Sequence, residues 1–306
     1  MKTDLIDLLA CPACSGTPAA SGAGHSELVC AGCGARYPVV EGVPVLLEPG
    51  RDEGRAHKEQ QIAFFDADPG DDFGVTRPRG APQLHGWLLA EKFRRSVVGL
   101  EDLLPGATAL TVCSGSGLDA EFLARAGARV VLTDISLGVL RQAAERARRY
   151  ALDVSLVVAD AERLPFRDRA VDIAYVHDGL HHLERPELAL TEMARVARTA
   201  VSVSEPATAV ATSAAVRLGW ADHAEEAGNV VRRLTLEEIV AALEEHGFEP
   251  LAPHRYAMYY RHWPGRGVRL LSRPGLLPLA TAGFRAANRL LGRFGNKLTV
   301  QAVRVR

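Results

Sequence analysis

The sequence predicts an α/β protein: a parallel sheet covered by helices on both faces, with a small cysteine-bearing module in front of it. Three observations lead there. Cys11, Cys14, Cys30 and Cys33 form two tight pairs near the N-terminus. From Leu84 onward, short apolar runs alternate with helix-length stretches, the pattern of parallel strands joined by crossover helices. Finally, three consecutive apolar runs end in glycine or in a carboxylate. Leu110-Thr-Val112 leads into Cys113-Ser-Gly-Ser-Gly117, Val130-Val-Leu-Thr133 into Asp134, and Val157-Val-Ala159 into Asp160.

Taken in order, residues 1–48 form the cysteine module. Residues 49–83, rich in Gly, Pro, Asp and Arg, read as a linker holding one short helix, His57 to Phe65. The sheet domain spans 84–306. Strands are expected near 108–113, 128–133, 154–159, 171–177 and 199–204, and helices near 84–99, 118–126, 136–150, 186–197 and 235–246. Gly247-Phe-Glu-Pro250 ends a helix and opens a sixth strand, and 298–305 is the seventh. Two insertions, 207–233 and 259–296, interrupt the alternation; the second contains three prolines and a helix near 280–291.

Composition is that of a soluble globular chain with ample length for a core. No basic-then-apolar leader and no membrane-length apolar run appear, so a cytoplasmic protein is expected. The net charge of −1 hides an asymmetry: residues 251–306 hold eleven Arg and Lys and no Asp or Glu. Such a region favours contact with something anionic, although a solvated arginine-rich surface is the plainer reading.

Cys11-Pro-Ala-Cys14 and Cys30-Ala-Gly-Cys33 stand fifteen residues apart, the spacing of a zinc ribbon. Four thiolates close a tetrahedral shell and leave no position for water, so the metal is expected to be structural. Metal binding would supply the folding energy that so small a module lacks. Paired disulfides are the alternative, and a reducing compartment disfavours them.

The glycine loop also satisfies the dinucleotide fingerprint, with Asp134 near its acidic position. Glycine lets backbone approach a ligand closely, and a carboxylate at the second strand end accepts from ribose hydroxyls. Asp160 has no role in that fingerprint, but it could accept from an adenine amine. With the strand-like C-terminal run, this order of features points to S-adenosylmethionine.

The module, with Asp4-Leu-Ile-Asp-Leu-Leu-Ala-Cys11 and Arg36-Tyr-Pro-Val-Val-Glu-Gly-Val-Pro-Val-Leu46, resembles the small zinc-ribbon protein that activates tRNA, rRNA and release-factor methyltransferases. There the ribbon is a separate subunit; here it would be fused in cis. Residues 105–205 resemble class I methyltransferases of the group that includes the ubiquinone and menaquinone enzymes. The resemblance rests on the three strand ends, on Ala161-Glu-Arg-Leu-Pro-Phe166, on Asp172 to Leu183, and on Ser204-Glu-Pro206. It implies a Rossmann-like seven-stranded methyltransferase sheet, whose last strand inserts antiparallel. It also implies cofactor contacts at Cys113, Gly115, Gly117, Asp134, Ile135, Asp160, Ala161 and His177.

Two positions depart from the family. Thr111 stands where an acid is usual, and Cys113 where glycine is. Asp119 could replace that acid in holding the cofactor's methionine ammonium, or simply place charge at a helix N-terminus. His181 and His182 are candidate general bases, with Asp178 beside them; the alternative is that the paired histidines are structural, one packed and one capping. The acceptor pocket is expected from the 57–93 helices and the 207–233 segment, with Trp220, His223, Asn229 and Arg232. Glu225 to Asn229 resembles a segment of methyltransferases of bacterial specialised metabolism.

The function implied is methyl transfer to a small-molecule or lipid-linked acceptor, for which the basic C-terminal region favours an anionic compound. A zinc-finger RNA methyltransferase is the alternative, and a non-catalytic cofactor-binding scaffold the second alternative. Phe284, Ala287 and Leu291 are expected on one face of the 280–291 helix, with Arg285 and Arg289 on another, so peripheral membrane contact is a further expectation.

Overall fold

The computed structural model describes residues 3–48, 55–67, 70–207, 233–258 and 262–305. The cysteine module comprises α1 (Thr3–Leu8), β1 (Pro18–Ser21), β2 (Glu27–Cys30), β3 (Arg36–Val40) and β4 (Val43–Leu46). Next come α2 (Arg55–Ala67), α3 (Asp72–Thr76) and α4 (Gln83–Ser96). The alternating part then runs β5 (Thr108–Val112), α5 (Leu118–Arg125), β6 (Arg129–Asp134), α6 (Leu137–Arg149), β7 (Val154–Ala159), β8 (Val171–His177), α7 (Pro186–Val196) and β9 (Ala197–Pro206). It is followed by α8 (Leu236–Glu245), β10 (Phe248–Pro250), β11 (His254–Tyr256), α9 (Arg266–Leu271), α10 (Leu277–Leu291) and β12 (Lys297–Arg304).

Local chemistry starts these helices where the sequence supplies caps. The Ser136 hydroxyl accepts from the Val139 amide at the start of α6, and Thr235 with Glu238 forms a reciprocal capping box on α8. Strands β5 and β8 are buried over nearly their whole length, as central parallel strands with helices on both faces must be.

The seven strands run in the order β7-β6-β5-β8-β9-β12-β10, and β12 lies antiparallel to both neighbours. That is the expected seven-stranded sheet with its inserted last strand. Two features go beyond the expectation. The short strand β11 pairs with the first half of β12, His254 opposite Thr299. The cysteine module also does not sit apart from the sheet: β4 pairs in parallel with β7, Val45 opposite Val158 and Leu46 opposite Ala159. Twelve strands thus form one continuous sheet.

One hydrophobic core crosses the junction. Leu5, Leu9, Leu28, Tyr37 and Leu46 of the module cluster with Ala161, Leu164 and Phe166 beyond β7. Backbone bonds reinforce it, from the Ala10 amide to the Pro165 carbonyl and from the Arg167 amide to the Leu8 carbonyl. The linker region is more structured than one short helix. Buried Arg146 of α6 donates to the carbonyls of Gly74 and Arg77 and to the Glu121 carboxylate, tying α3 against the sheet helices.

Candidate functional site

The strand order reverses direction at β5, with β6 on one side and β8 on the other, so the C-terminal ends of these strands open a crevice at a topological switch point. One cleft there is lined by Cys113, Gly115, Asp134, Ile135, Asp160, Ala161, Asp178 and His182, together with His57, Lys58, Gln61 and Phe65 from α2. Gly117, Asp119, His177 and His181 do not line it.

The loop after β5 shows why. Gly115 has φ +50, its amide donates to Asp134 Oδ2 at 3.0 Å, and a β-carbon built on it would meet nothing within 4 Å. That position leaves backbone open to a ligand. A β-carbon on Gly117 would instead lie 3.1 Å from Ala143 Cβ and from Leu132 Cδ2, so this glycine serves helix–sheet packing. Cys113, also at positive φ, fits because Gly179 faces it; a β-carbon on Gly179 would come within 2.5 Å of Cys113 Cβ. Burial pushes the Cys113 thiol well above its ordinary pKa, so it is a packed wall and not a nucleophile.

The Asp134 carboxylate accepts from the amides of Gly115 and Ser136, the latter at 3.1 Å. Burial nevertheless raises its pKa. Asp160 accepts from the Glu162 amide at 2.9 Å and from Lys58 Nζ at 2.6 Å. Lys58 also reaches Glu162 Oε2 at 2.8 Å; burial opposes its charge, but the two carboxylates outweigh that and hold the ammonium above its usual range. Lys58 belongs to a helix about a hundred residues earlier in the chain, so no local signal links it to Asp160.

The paired histidines divide. His181 is buried and its Nδ1 bonds Glu205 Oε2 at 2.8 Å. The Glu205 carboxylate also accepts from the amides of Gly179 and Leu180 at 2.8 Å and of His181 at 3.3 Å, which shapes the whole loop after β8. Burial works to raise the Glu205 pKa, yet the His181 imidazole and the amides hold it below the ordinary carboxylate range. His182 faces the cleft, its ring 5.8 Å from Phe65 and its carbonyl accepting from His57 Nε2 at 2.8 Å.

Behind the cleft lies a polar cluster. Lys92 Nζ stands 3.4 Å from Asp119 and 3.8 Å from Asp178, and Lys297 also bonds Asp178. The Tyr175 hydroxyl contacts Asp119 at 3.3 Å and His177 Nδ1 at 3.2 Å. Although burial opposes it, Lys297 holds the Asp178 carboxyl far below its usual range. Burial and Lys92 lower the His177 pKa to about 4, so that imidazole is neutral at physiological pH. Lys92 and Lys297 escaped the sequence reading as site residues, and Glu205, quoted there within Ser204-Glu-Pro206, was given no role of its own. For Glu205 a signal existed: it is a third acid ending an apolar strand, as Asp134 and Asp160 do. Trp220, His223, Asn229 and Arg232 lie outside the described residues.

At the other end of the sheet the sulfurs of Cys11, Cys14, Cys30 and Cys33 all lie within 4.8 Å of one another. Cys11 and Cys33 are 3.7 Å apart, and Cys14 and Cys30 3.5 Å. Tetrahedral zinc–thiolate bonds set sulfurs about 3.8 Å apart. A β-carbon on Gly16 would crowd the sulfurs of Cys30 and Cys14 at 3.0 and 3.1 Å, so glycine keeps the cradle clear. The donor set and its spacing fit a tetrahedral ion.

Comparison with known proteins agrees with this layout. Residues 110–203 match the family model described as a methyltransferase domain, and residues 2–42 the model described as Trm112p-like protein. The demethylmenaquinone methyltransferase of Renibacterium salmoninarum is 36% identical over 107 residues, 35% of this chain and 44% of that protein. The ubiquinone/menaquinone biosynthesis C-methyltransferase of Bordetella avium is 38% identical over 102 residues, 32% of this chain and 40% of that one. The chain therefore spans less than half the length of these relatives. Among solved structures, the magnesium protoporphyrin IX methyltransferase of Synechocystis PCC 6803, with bound SAH, aligns at TM-score 0.52 and 16% identity, over 81% of this chain and all of that one. The 1,6-didemethyltoxoflavin-N1-methyltransferase of Burkholderia thailandensis aligns at 0.51 and 15%, over 94% and 99%. At these identities the likeness is one of fold. The polypeptide thus joins, within a single sheet, a module that matches the Trm112p-like model to a region that matches the methyltransferase-domain model.

Proposed function

We propose that this chain transfers a methyl group from S-adenosylmethionine to a small-molecule acceptor, with one structural zinc ion in the cysteine module. The observation that carries the reading is the Asp134 carboxylate at the end of β6, in the wall of a switch-point cleft and directly bonded to the backbone amide of Gly115, beside which the space is open. Burial has raised its pKa, and two ribose hydroxyls would supply the donors that favour its charged form.

The remaining roles follow from position. Asp160 accepts the adenine amine beside Lys58, and Ile135 and Ala161 form apolar walls of the cleft. When bound, the cofactor supplies a methyl group on an activated sulfonium, so in-line positioning lowers much of the barrier. Asp178 and His182 form the acceptor side; His182 takes a proton from the acceptor when one must leave, whereas Asp178, kept ionised by Lys297, is too weak a base for that and orients the acceptor by accepting a hydrogen bond. His181 is a positioning residue, because its imidazole is committed to Glu205. Asp119 already accepts from Lys92 and Tyr175, so its carboxylate would hold a cofactor ammonium in competition with Lys92. His177, neutral, orients Tyr175 under the site. A lipid-linked acceptor is the finer reading, supported by relatives whose names carry menaquinone; the segment that suggested specialised metabolism lies outside the described residues.

Titration calorimetry tests this. The wild-type chain binds S-adenosylmethionine at one site. Asp134→Ala removes the charged acceptor of two hydroxyls and weakens binding by roughly 1.5–3 kcal/mol, about ten- to a hundredfold. Unchanged affinity in a folded Asp134→Ala protein would move the cofactor elsewhere. No heat from the wild-type protein, with zinc in place, would refute the reading.

A further inference from the structure

We propose that the C-terminal lobe, α9 and α10, docks the protein onto an anionic lipid bilayer. This goes beyond the methyl-transfer reading and does not depend on it. Val268, Leu277, Ala280 and Phe284 pack these helices onto Leu84, Leu88, Tyr256 and Met258. Their inward packing is therefore already satisfied, yet neither helix contains a buried residue.

Much apolar surface remains outside. Eight of the thirteen exposed large hydrophobic residues among those described fall between Trp263 and Phe294, so exposure concentrates on this lobe. On α10, Leu279, Gly283, Ala286 and Leu290 follow the spacing that lays them in one stripe, opposite Phe284. Leu279 is 70% and Leu290 75% exposed, and Leu291 and Phe294 extend the apolar surface at the helix end at 60% and 58%.

Charge decides what covers it. The whole segment from Leu251 onward lacks carboxylates, and Arg285 and Arg289 run along one edge of the stripe. Beside them a groove between α4 and α10 is lined by Arg94, Arg95, Arg285 and Arg289. Its one carboxylate, Glu91, is already bonded to Arg94 and Arg95. Leucines flanked by guanidinium groups match an interface where apolar side chains enter the acyl boundary and cations stay among anionic headgroups. RNA would need a row of exposed rings on which bases stack, whereas the outer stripe of α10 is aliphatic; the two exposed rings of the lobe, Trp263 and Phe294, lie outside α10, and Trp263 is already stacked on Phe73. A two-fold copy of the same face would set arginine rows against each other with no carboxylate in the lobe to offset them. No helix among the described residues is long and apolar enough to cross a membrane, so α10 lies on the bilayer surface.

Flotation of the full chain with phosphatidylcholine vesicles, with and without phosphatidylglycerol, tests the proposal. The protein is expected to float with the mixed vesicles, to stay behind with the neutral ones, and to detach as salt rises. Leu279→Ser with Leu290→Ser should lower partitioning by about tenfold per leucine. Arg285→Gln with Arg289→Gln should lower it by roughly tenfold or more and flatten its salt dependence. Both pairs lie on the lobe surface; unchanged melting temperature and zinc content show that the fold is intact. Failure of the wild type to float, equal flotation with neutral vesicles, or full retention by the leucine variant would each overturn the proposal. So would salt-dependent RNA retention on filters without flotation, which would assign the arginines to nucleic acid.

Discussion

Replacing Glu205 by Gln tests how the loop after β8 is held. In the wild type, Oε1 accepts the amides of Gly179 and Leu180, while Oε2 accepts the His181 amide and faces His181 Nδ1. Glutamine keeps one acceptor oxygen. With that oxygen toward Gly179 and Leu180, the amide nitrogen meets the His181 N–H donor to donor. A tautomer change lets Nδ1 accept instead, so one backbone N–H is orphaned and the other bonds lose their charge assistance. An orphaned buried donor costs about 1–3 kcal/mol and the lost charge assistance about as much again, partly offset by removal of a buried charge. A net loss of about 2–4 kcal/mol lowers Tm by roughly 3–6 °C for a chain of this size. Scanning calorimetry at neutral pH measures it. The pH dependence gives a second check. Because the folded Glu205 pKa is depressed, its contribution is complete above the ordinary glutamate value and is lost as pH falls through the lower, folded one. The gap between wild type and Glu205→Gln should therefore close in acid. A Tm change below about 1 °C at neutral pH, or a gap that stays constant into acid, would refute the argument.

Two further outcomes follow from packing. The chain should hold one zinc per monomer, and Cys30→Ser should lose it; because β4 pairs with β7 and the core crosses the junction, the loss should also lower the main thermal transition. Metal analysis showing full retention in Cys30→Ser, or melting of the sheet unaffected by chelation, would argue against this. Gly179→Ala should destabilise by about 1–3 kcal/mol through overpacking against Cys113, and Cys113→Gly in the same chain should restore most of it. Denaturant titration of both variants reads this directly; a double variant no more stable than Gly179→Ala alone would deny the contact.

Much of the site was legible because strand ends in a parallel sheet announce themselves locally. An apolar run ending in glycine or aspartate needs only its own residues to be read, and Gly115, Asp134 and Asp160 came out that way. So did the cysteine pairs, whose spacing already implies a tetrahedral centre. Partners across the fold were not legible. Lys58 reaches Asp160, Lys297 reaches Asp178 and Glu205 gathers the loop amides over separations that leave no periodic trace. Gly115 and Gly117 look alike in sequence, and only the neighbours their missing β-carbons would strike assign one to the cleft and the other to packing.

Composition and periodicity determined the class of this protein: alternating strands and helices, a four-cysteine module, and a C-terminal lobe without carboxylates. These depend on residue types at fixed local spacing, which the chain carries wherever it goes. Tertiary structure decided that the module is the edge of the sheet, that His182 and not His181 faces the cleft, and that the leucines of α10 face outward. Such facts depend on which distant surfaces meet, and burial, charge and hydrogen-bond partners exist only once they have met.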